Sequence, residues 1–274
     1  MTTTRWIVLA IVSVLTVAAA VFYYRQGPQP TETASAPPPQ PSALTPETAQ
    51  PEVHYPVPAI EAPEQALPLP ALDESDEAVQ NSMEKSFGKA PVEAFLLPTE
   101  IIRHLVATID SLDRGPVPLR FRPVKHVPGL PVVNAKGDTI IMLSPDNAKR
   151  YEPYISALRA VDVKRFADVY RHYYPLFQNA YEALGYPGRY FNDRLIPIID
   201  HLLATPDISE PIQLVQPKVL YQFADPEMEK RSWGQKTLIR MGPANAAAVK
   251  AKLREIRASI AVKADKPCRP VGSC

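Results

Sequence analysis

The sequence predicts a mainly α-helical domain built around an αα-hairpin, with minor short β-strands, behind one transmembrane helix and a proline-rich linker. Three observations predict it. Residues Trp6–Tyr24 form an uncharged apolar run. Thirteen of the 32 prolines fall between residues 27 and 70, which bars helix or central sheet there. Beyond residue 69, apolar side chains recur mostly at helical spacing, with Gly and Pro between the runs.

The chain divides in order. Residues 1–5 read as a short cytoplasmic N-terminus. Residues 6–24 then read as a transmembrane helix. Nineteen residues at about 1.5 Å each span roughly 28 Å, close to the hydrocarbon thickness. Trp6 at one end and Tyr23 and Tyr24 at the other suit the two interfaces. A cleaved signal peptide is the rival reading, since Ala18, Ala19 and Ala20 offer small residues for cleavage. The apolar run continues past them, which favours an uncleaved signal anchor. After Arg25 no Lys or Arg occurs until Lys85, while ten acidic residues intervene. That asymmetry points to a single-pass protein of the inner membrane with its C-terminal domain in the periplasm. The lipid bilayer is then the partner of Trp6–Tyr24.

Residues 25–68 read as a spacer with polyproline II tendency, PPPQP at 37–41 included. The globular domain is expected at 69–263 and a flexible tail at 264–274. Asp73 or Ser75 can cap a first helix over Asp76–Phe87, stopped by Gly88. Pro98 and Thr99 start a core helix whose stripe is Ile101, Ile102, Leu105, Val106, Ile109 and Leu112, with His104 and Asp110 on its flanks. Residues 132–142 read as a small hairpin around Gly137. Ser144 with Pro145 starts a helix to about Arg150.

Asp162 caps the longest helix, which Gly185 ends. Phe166, Val169, Tyr170, Tyr173, Phe177, Ala180, Tyr181 and Leu184 form one stripe along it, and Pro175 predicts a kink. After the turn Gly185-Tyr-Pro-Gly188, Asn192 is expected to cap a partner helix carrying Leu195, Ile198, Ile199, Leu202 and Leu203, which completes the αα-hairpin. Pro211–Phe223 reads as one or two short strands, with Pro217 forbidding a regular central one. Asp225-Pro226 starts a short turn of helix, Ser232 caps Trp233–Met241, and Gly242-Pro243 begins a final amphipathic helix over Ala244–Val262.

Composition excludes several classes of function. A net charge of +1 lacks the basic footprint of a nucleic-acid partner. Cys268 and Cys274 both lie in the tail, so the expected domain has no thiol nucleophile and no Cys-based zinc site. In an oxidising compartment they could pair with each other or with a second chain. No HExxH spacing and no phosphate-cradling Gly-rich loop occurs, so neither a metal nor a cofactor is expected.

The hub Tyr170–Pro206 holds eight of the chain's 22 Phe, Trp and Tyr residues, and the candidate chemistry concentrates there. Asp193 and Asp200 are seven apart, on one helix face and about 10 Å from each other. That separation would suit an inverting glycosidase, so they are the weak catalytic candidates of an envelope hydrolase acting on cell-wall glycan. The competing explanation makes Asn192 and Asp193 a helix cap and dipole charge, and pairs Arg194 with Glu182 across the hairpin. Tyr170, Tyr173 and Tyr181 belong to the core stripe. Tyr174, Tyr186 and Tyr190 lie off it or in the turn. With Arg194 and His201 they are the candidate binding residues, since aromatics with polar tips favour binding surfaces.

The blocks FLLPTEIIRHLVATIDSL, VYRHYYPLFQNAYEALGYPGRYFNDRLIPIIDHLLATP, LVQPKVLYQFADP and QKTLIRMGPANAAAVKAKLREIR follow one another within about residues 69–260. In this succession the chain resembles a family of uncharacterised Gram-negative bacterial proteins that share a domain of unknown function behind an N-terminal membrane anchor. The resemblance implies an envelope protein and carries over no activity and no site. The function expected is that of a membrane-anchored binding or scaffolding protein, more a non-enzyme than an enzyme, contacting another envelope protein or the wall.

Overall fold

The computed structural model describes residues 53–57, 69–136, 140–208 and 211–261. The expected transmembrane helix, most of the spacer and the tail lie outside these residues. Among the described residues no helix is long and apolar enough to cross a membrane.

The domain is mainly helical, with one small sheet. Helix α1 is Asp76–Phe87, α2 Lys89–Phe95 and α3 Ile101–Ser111. Strands β1 (Val133–Lys136) and β2 (Ile140–Leu143) follow, then a 3-10 segment at Pro145–Tyr151 and helix α4 (Glu152–Arg159). Helices α5 (Val163–Ala183) and α6 (Phe191–Leu203) form the hairpin. Strands β3 (Gln213–Val215) and β4 (Gln222–Phe223) precede α7 (Pro226–Glu229), α8 (Trp233–Arg240) and α9 (Pro243–Ile260). The sheet is antiparallel throughout in the order β1-β2-β3-β4.

Helix α5 is the centre, packing on α1, α3, α6 and α9. Its stripe places Tyr170, Tyr173, Leu176, Ala180 and Tyr181 in a core with Ile101, Ile102 and Val106 of α3 and Phe191, Ile196 and Ile199 of α6. The opposite face of α6 supplies Ile198 and Leu202 to a second cluster with Ile155, Leu238 and Met241. The sheet covers a third, in which Leu143, Ile212, Leu214 and Phe223 meet Ile239. Both Ser144 and Asp162 cap as their sequence context predicts, Asp162 accepting from the amides of Lys164 and Arg165. Pro175 lies within α5, which continues to Ala183.

The structure differs from the sequence expectations at several points. Gly88 stops α1 but at once opens α2, which carries Pro91 in its first turn and was not expected. A further helix, α4, follows the 3-10 segment after Ser144, with Pro153 in its first turn. Helix α3 is started from a distance. The Asp76 carboxylate accepts from the amides of Glu100 (2.7 Å) and Ile101 (2.8 Å), while Glu100 takes the left-handed conformation at φ 48°. Asn192 does not cap α6, which begins one residue earlier. It is fully buried instead, accepting from the Tyr170 hydroxyl and donating to the carbonyls of Tyr55 and Ile260.

That last contact changes the extent of the folded unit. Val53–Val57, inside the expected spacer, packs Tyr55 and Val57 on the main core. The amides of His54 and Tyr55 donate to the Asp193 carboxylate at 3.0 and 2.7 Å. A short strap of the proline-rich region is thus fastened to the first turn of α6, where an acidic side chain favours the helix dipole.

Candidate functional site

The most concentrated polar chemistry lies where the end of α3 meets α6 and the turn between α5 and α6. Asp110 is on the last turn of α3, and its side chain is only 7% exposed. Arg194 Nε donates to Asp110 Oδ1 at 2.7 Å, and its two Nη atoms hold both oxygens of Asp113 at 2.8 Å. The same guanidinium donates to the Asp110 carbonyl at 2.6 Å. Arg114 reaches Asp110 Oδ2 from the other side, and the Tyr186 hydroxyl donates to that oxygen at 3.2 Å. Sequence spacing suggested Glu182 as the partner of Arg194. The structure corrects this: Arg194 turns toward α3, where two carboxylates one turn apart match its planar fork.

The electrostatics follow from this packing. Burial works against the charge on Arg194, but hydrogen bonds and attraction from Asp113 and Asp110 outweigh it and raise its pKa. Burial likewise opposes ionisation of Asp113, yet Arg194 and Arg114 hold its carboxyl below the usual range. Arg114 is pushed up, first by its hydrogen bond with Tyr186.

Beside this centre runs a groove of about 520 Å³, lined by α3 from Glu100 to Ser111, by Val117 and Phe121, and by Ala180, Ala183, Leu184 and Tyr186. His104 lines it but is buried, with its Nε2 3.5 Å from Glu100 and its ring edge-on to Phe121. The Ser111 hydroxyl is spent on the carbonyl of Ala107. The groove therefore offers charge, an aromatic edge and apolar walls, and no serine paired with a base.

The remaining candidate residues sit elsewhere. Tyr174 is at the Asp193 end of the hairpin, with its hydroxyl toward Gln178 Oε1 at 3.3 Å. Burial pushes its phenol up to about 12; the Asn192 amide works the other way, and the charges of Asp193 and Tyr190 add to the rise. Gln178 is the residue that sequence reasoning missed there. It accepts from the Phe191 amide and donates to the Arg189 carbonyl and to Glu182, so one side chain holds the whole turn. A lone exposed-face glutamine gives no sequence signal for this. His201 pairs with the Ser232 hydroxyl at 2.8 Å, at the start of α8.

Asp193 and Asp200 have separate employments. Asp193 receives the strap amides. Asp200 forms a two-point ion pair with Arg257 of α9, at 2.6 and 2.9 Å, and this pairing raises the Arg257 pKa. Of the five binding candidates, Tyr186 and Arg194 share the Asp110 centre, Tyr174 and Tyr190 share the strap end, and His201 stands apart. Asp110 itself, which looked like a flank residue, is the focus of the centre. Its spacing from Asp113 and Arg114 was visible, but its partner on α6 was not. Among the described residues no group of three His, Cys, Asp or Glu side chains is placed to hold a metal ion.

Comparison with known proteins gives a family and no activity. No curated protein and no solved structure matches the chain. Residues 101–257 match the family described as a protein of unknown function (DUF3014). The match spans α3 to α9, takes in the Asp110 centre and both arms of the hairpin, and covers more than half of the chain; the chain belongs to this family.

Proposed function

We propose that the protein is a single-pass inner-membrane protein of a Gram-negative envelope whose periplasmic domain is a binding or scaffolding module for another envelope protein or the wall. Trp6–Tyr24 anchors it in the lipid bilayer and the proline-rich region gives it reach. The observation that carries the reading is the use made of the polar hub. Asp193 grips the main chain of a bent segment by the amides of His54 and Tyr55, and Asn192 grips the Tyr55 carbonyl beside them. A hub that captures a segment through its backbone groups while Tyr55 and Val57 pack on the core is equipped to hold peptide chain.

A second feature supports it. The segment 117–132 carries Leu119, Phe121, Val124 and Leu130 exposed, 82% in the case of Leu130. This ridge lies between the groove beside Asp110 and another of about 520 Å³ lined by Phe95, Leu97, Val124, Pro128 and Tyr154. Large apolar side chains gathered around concave surface mark interaction sites. The hydrolase reading would need Asp193 and Asp200 free to face one substrate, and each already has its own partner.

The test is crosslinking in cells that carry the full chain, with a reagent that does not cross the inner membrane. The reading expects reproducible recovery of a discrete envelope protein or of wall material, lost when residues 6–24 are replaced by a cleaved leader. Recovery of neither with the intact chain would overturn it.

A further inference from the structure

The groove at Phe95 and Tyr154 carries a charge that the domain does not balance. Besides these two rings, whose centroids are 4.4 Å apart, Val124, Lys125, His126 and Arg150 line it. Among the described residues no carboxylate does. Lys125 Nζ donates to the carbonyl of Glu93 at 2.8 Å. Arg150 donates to Asn147 Oδ1 and to the carbonyls of Pro128 and Gly129, at 2.9, 3.1 and 2.7 Å. All four acceptors are neutral oxygens. The carboxylates of Glu93 and Asp146, on the same stretches of chain, pair with Lys89 and Lys149 instead. Two cations without a counter-charge, set beside apolar walls, focus a positive potential on the groove.

The backbone at the groove is unfinished as well. Leu96 and Val124 form a single antiparallel bridge, closed by the Leu97 amide on the Pro123 carbonyl and the Lys125 amide on the Phe95 carbonyl, both at 2.8 Å. The two bridged residues do not bond each other, so their own amides and carbonyls point away from the pair. The Leu96 amide closes α2 on the Val92 carbonyl. The amide and carbonyl of Val124 make no hydrogen bond among the described residues, and Val124 is 45% exposed. They form the open edge of a strand, which another extended chain can continue. A strand added there takes backbone bonds from Val124 and sets its successive side chains on alternate faces. An inorganic anion or a lipid headgroup would meet the cations and leave the edge unused. A neutral apolar peptide would leave the cations unmatched.

We propose that this groove is the seat of an extended acidic segment of a partner protein, added as a strand beside Val124. A carboxylate of that segment meets Lys125 and Arg150, and an apolar side chain meets the rings of Phe95 and Tyr154. The proposal rests on the reading of the domain as a binding module and gives that module a partner chemistry.

The test uses the full chain in nanodiscs of phosphatidylcholine, which carries no net charge. The probe is a fluorescent eight-residue peptide of alternating Glu and Leu, with one Leu replaced by its diazirine analogue. Fluorescence anisotropy should show saturable binding that weakens as salt rises. The same peptide with Gln in place of Glu should bind at least tenfold more weakly. Methylation of alternate probe amides should abolish binding in one register and spare it in the other, because only one edge of the probe faces Val124. Lys125→Glu, at an exposed position and confirmed as folded by circular dichroism, should weaken binding at least tenfold. After photolysis, peptide mass spectrometry should find the label at Phe95, Val124 or Tyr154. The proposal is overturned if the acidic probe does not bind, if the Gln peptide binds equally well, if both methylated forms bind like the parent, or if the label falls outside the groove. Displacement of the probe by phosphatidylglycerol vesicles as readily as by unlabelled peptide would also overturn it and assign the groove to an anionic lipid surface. A partner captured in cells beside a probe that fails to bind overturns this proposal alone. A probe bound in the groove with no partner captured in cells overturns the envelope reading alone.

Discussion

Replacing Arg194 with methionine removes the cation that binds α6 to the end of α3. The change takes away the Nε contact to Asp110, the contact to the Asp110 carbonyl and the two-point grip on Asp113. Removing one partner of a buried pair costs about 3–5 kcal/mol, because the other charge stays buried. Two features lower that figure here. Asp110 keeps Arg114 and the Tyr186 hydroxyl, and the Asp113 side chain is 26% exposed and recovers water. A loss of about 2–4 kcal/mol is therefore expected, which lowers the melting temperature of a domain of this size by roughly 5–15 °C. Thermal unfolding followed by far-ultraviolet circular dichroism measures it. Arg194→Lys should recover only part of the loss, since an ammonium lacks the planar fork. A double-mutant cycle with Asp110→Asn should give a coupling above about 1 kcal/mol. An Arg194→Met protein within about 0.5 kcal/mol of the parent, the range of an ordinary surface change, would refute the reasoning.

Other outcomes follow from the same contacts. Asp193→Ala should release the strap: the His54 and Tyr55 amides should exchange hydrogen much faster, at a cost of about 1–3 kcal/mol for two charge-assisted bonds, and unchanged exchange would argue against the clamp. Gly234→Ala, which in an open helix gains up to about 1 kcal/mol, should destabilise here. An added Cβ would lie 2.8 Å from the Leu112 carbonyl oxygen and 2.6 Å from Leu202 Cδ2, and a raised melting temperature would contradict that packing. Asp113 is held below its ordinary value of 3.8, so its contribution is present above that pH and lost as pH falls through the lowered value; an acid titration of stability should show a loss that Asp113→Asn lacks. Tyr174 has the opposite sign. Its contribution is present below the ordinary phenol value of 10.0 and lost as pH rises toward about 12, so Tyr174→Phe should remove one late step from the ultraviolet titration.

The helices were legible where a stripe and a cap agree. Asp162 with the Phe166–Leu184 stripe, Ser232 before Trp233 and Gly242-Pro243 before α9 all mark helices near their true ends, because these signals are local. Helices α2 and α4 were illegible for the converse reason. Each begins just after another helical segment and carries a proline in its first turn, which reads as an interruption. The polar hub was legible as a concentration of residues and not as a set of contacts. Asn192, Asp193, Arg194 and Asp200 lie within nine residues of one another, yet they reach respectively Tyr170 with Tyr55, the strap, Asp110 with Asp113, and Arg257. Four residues of one helix thus reach α5, the strap, α3 with the loop after it, and α9, and periodicity does not reveal which partner each one meets. The start of α3 was hidden in the same way, since its capping carboxylate, Asp76, comes from α1.

The central claim, that the exported domain binds an envelope partner, is tested most directly by site-specific photo-crosslinking in living cells. A photoreactive amino acid is placed at Leu119, Phe121 or Tyr190 in the full chain, with Glu77, an exposed position on α1, as control. The account predicts a discrete crosslinked species from one or more of the three and none from the control, disappearing when the membrane segment is replaced by a cleaved leader. Absence of any species above the control at all three positions, with the protein present at its normal level, would contradict it.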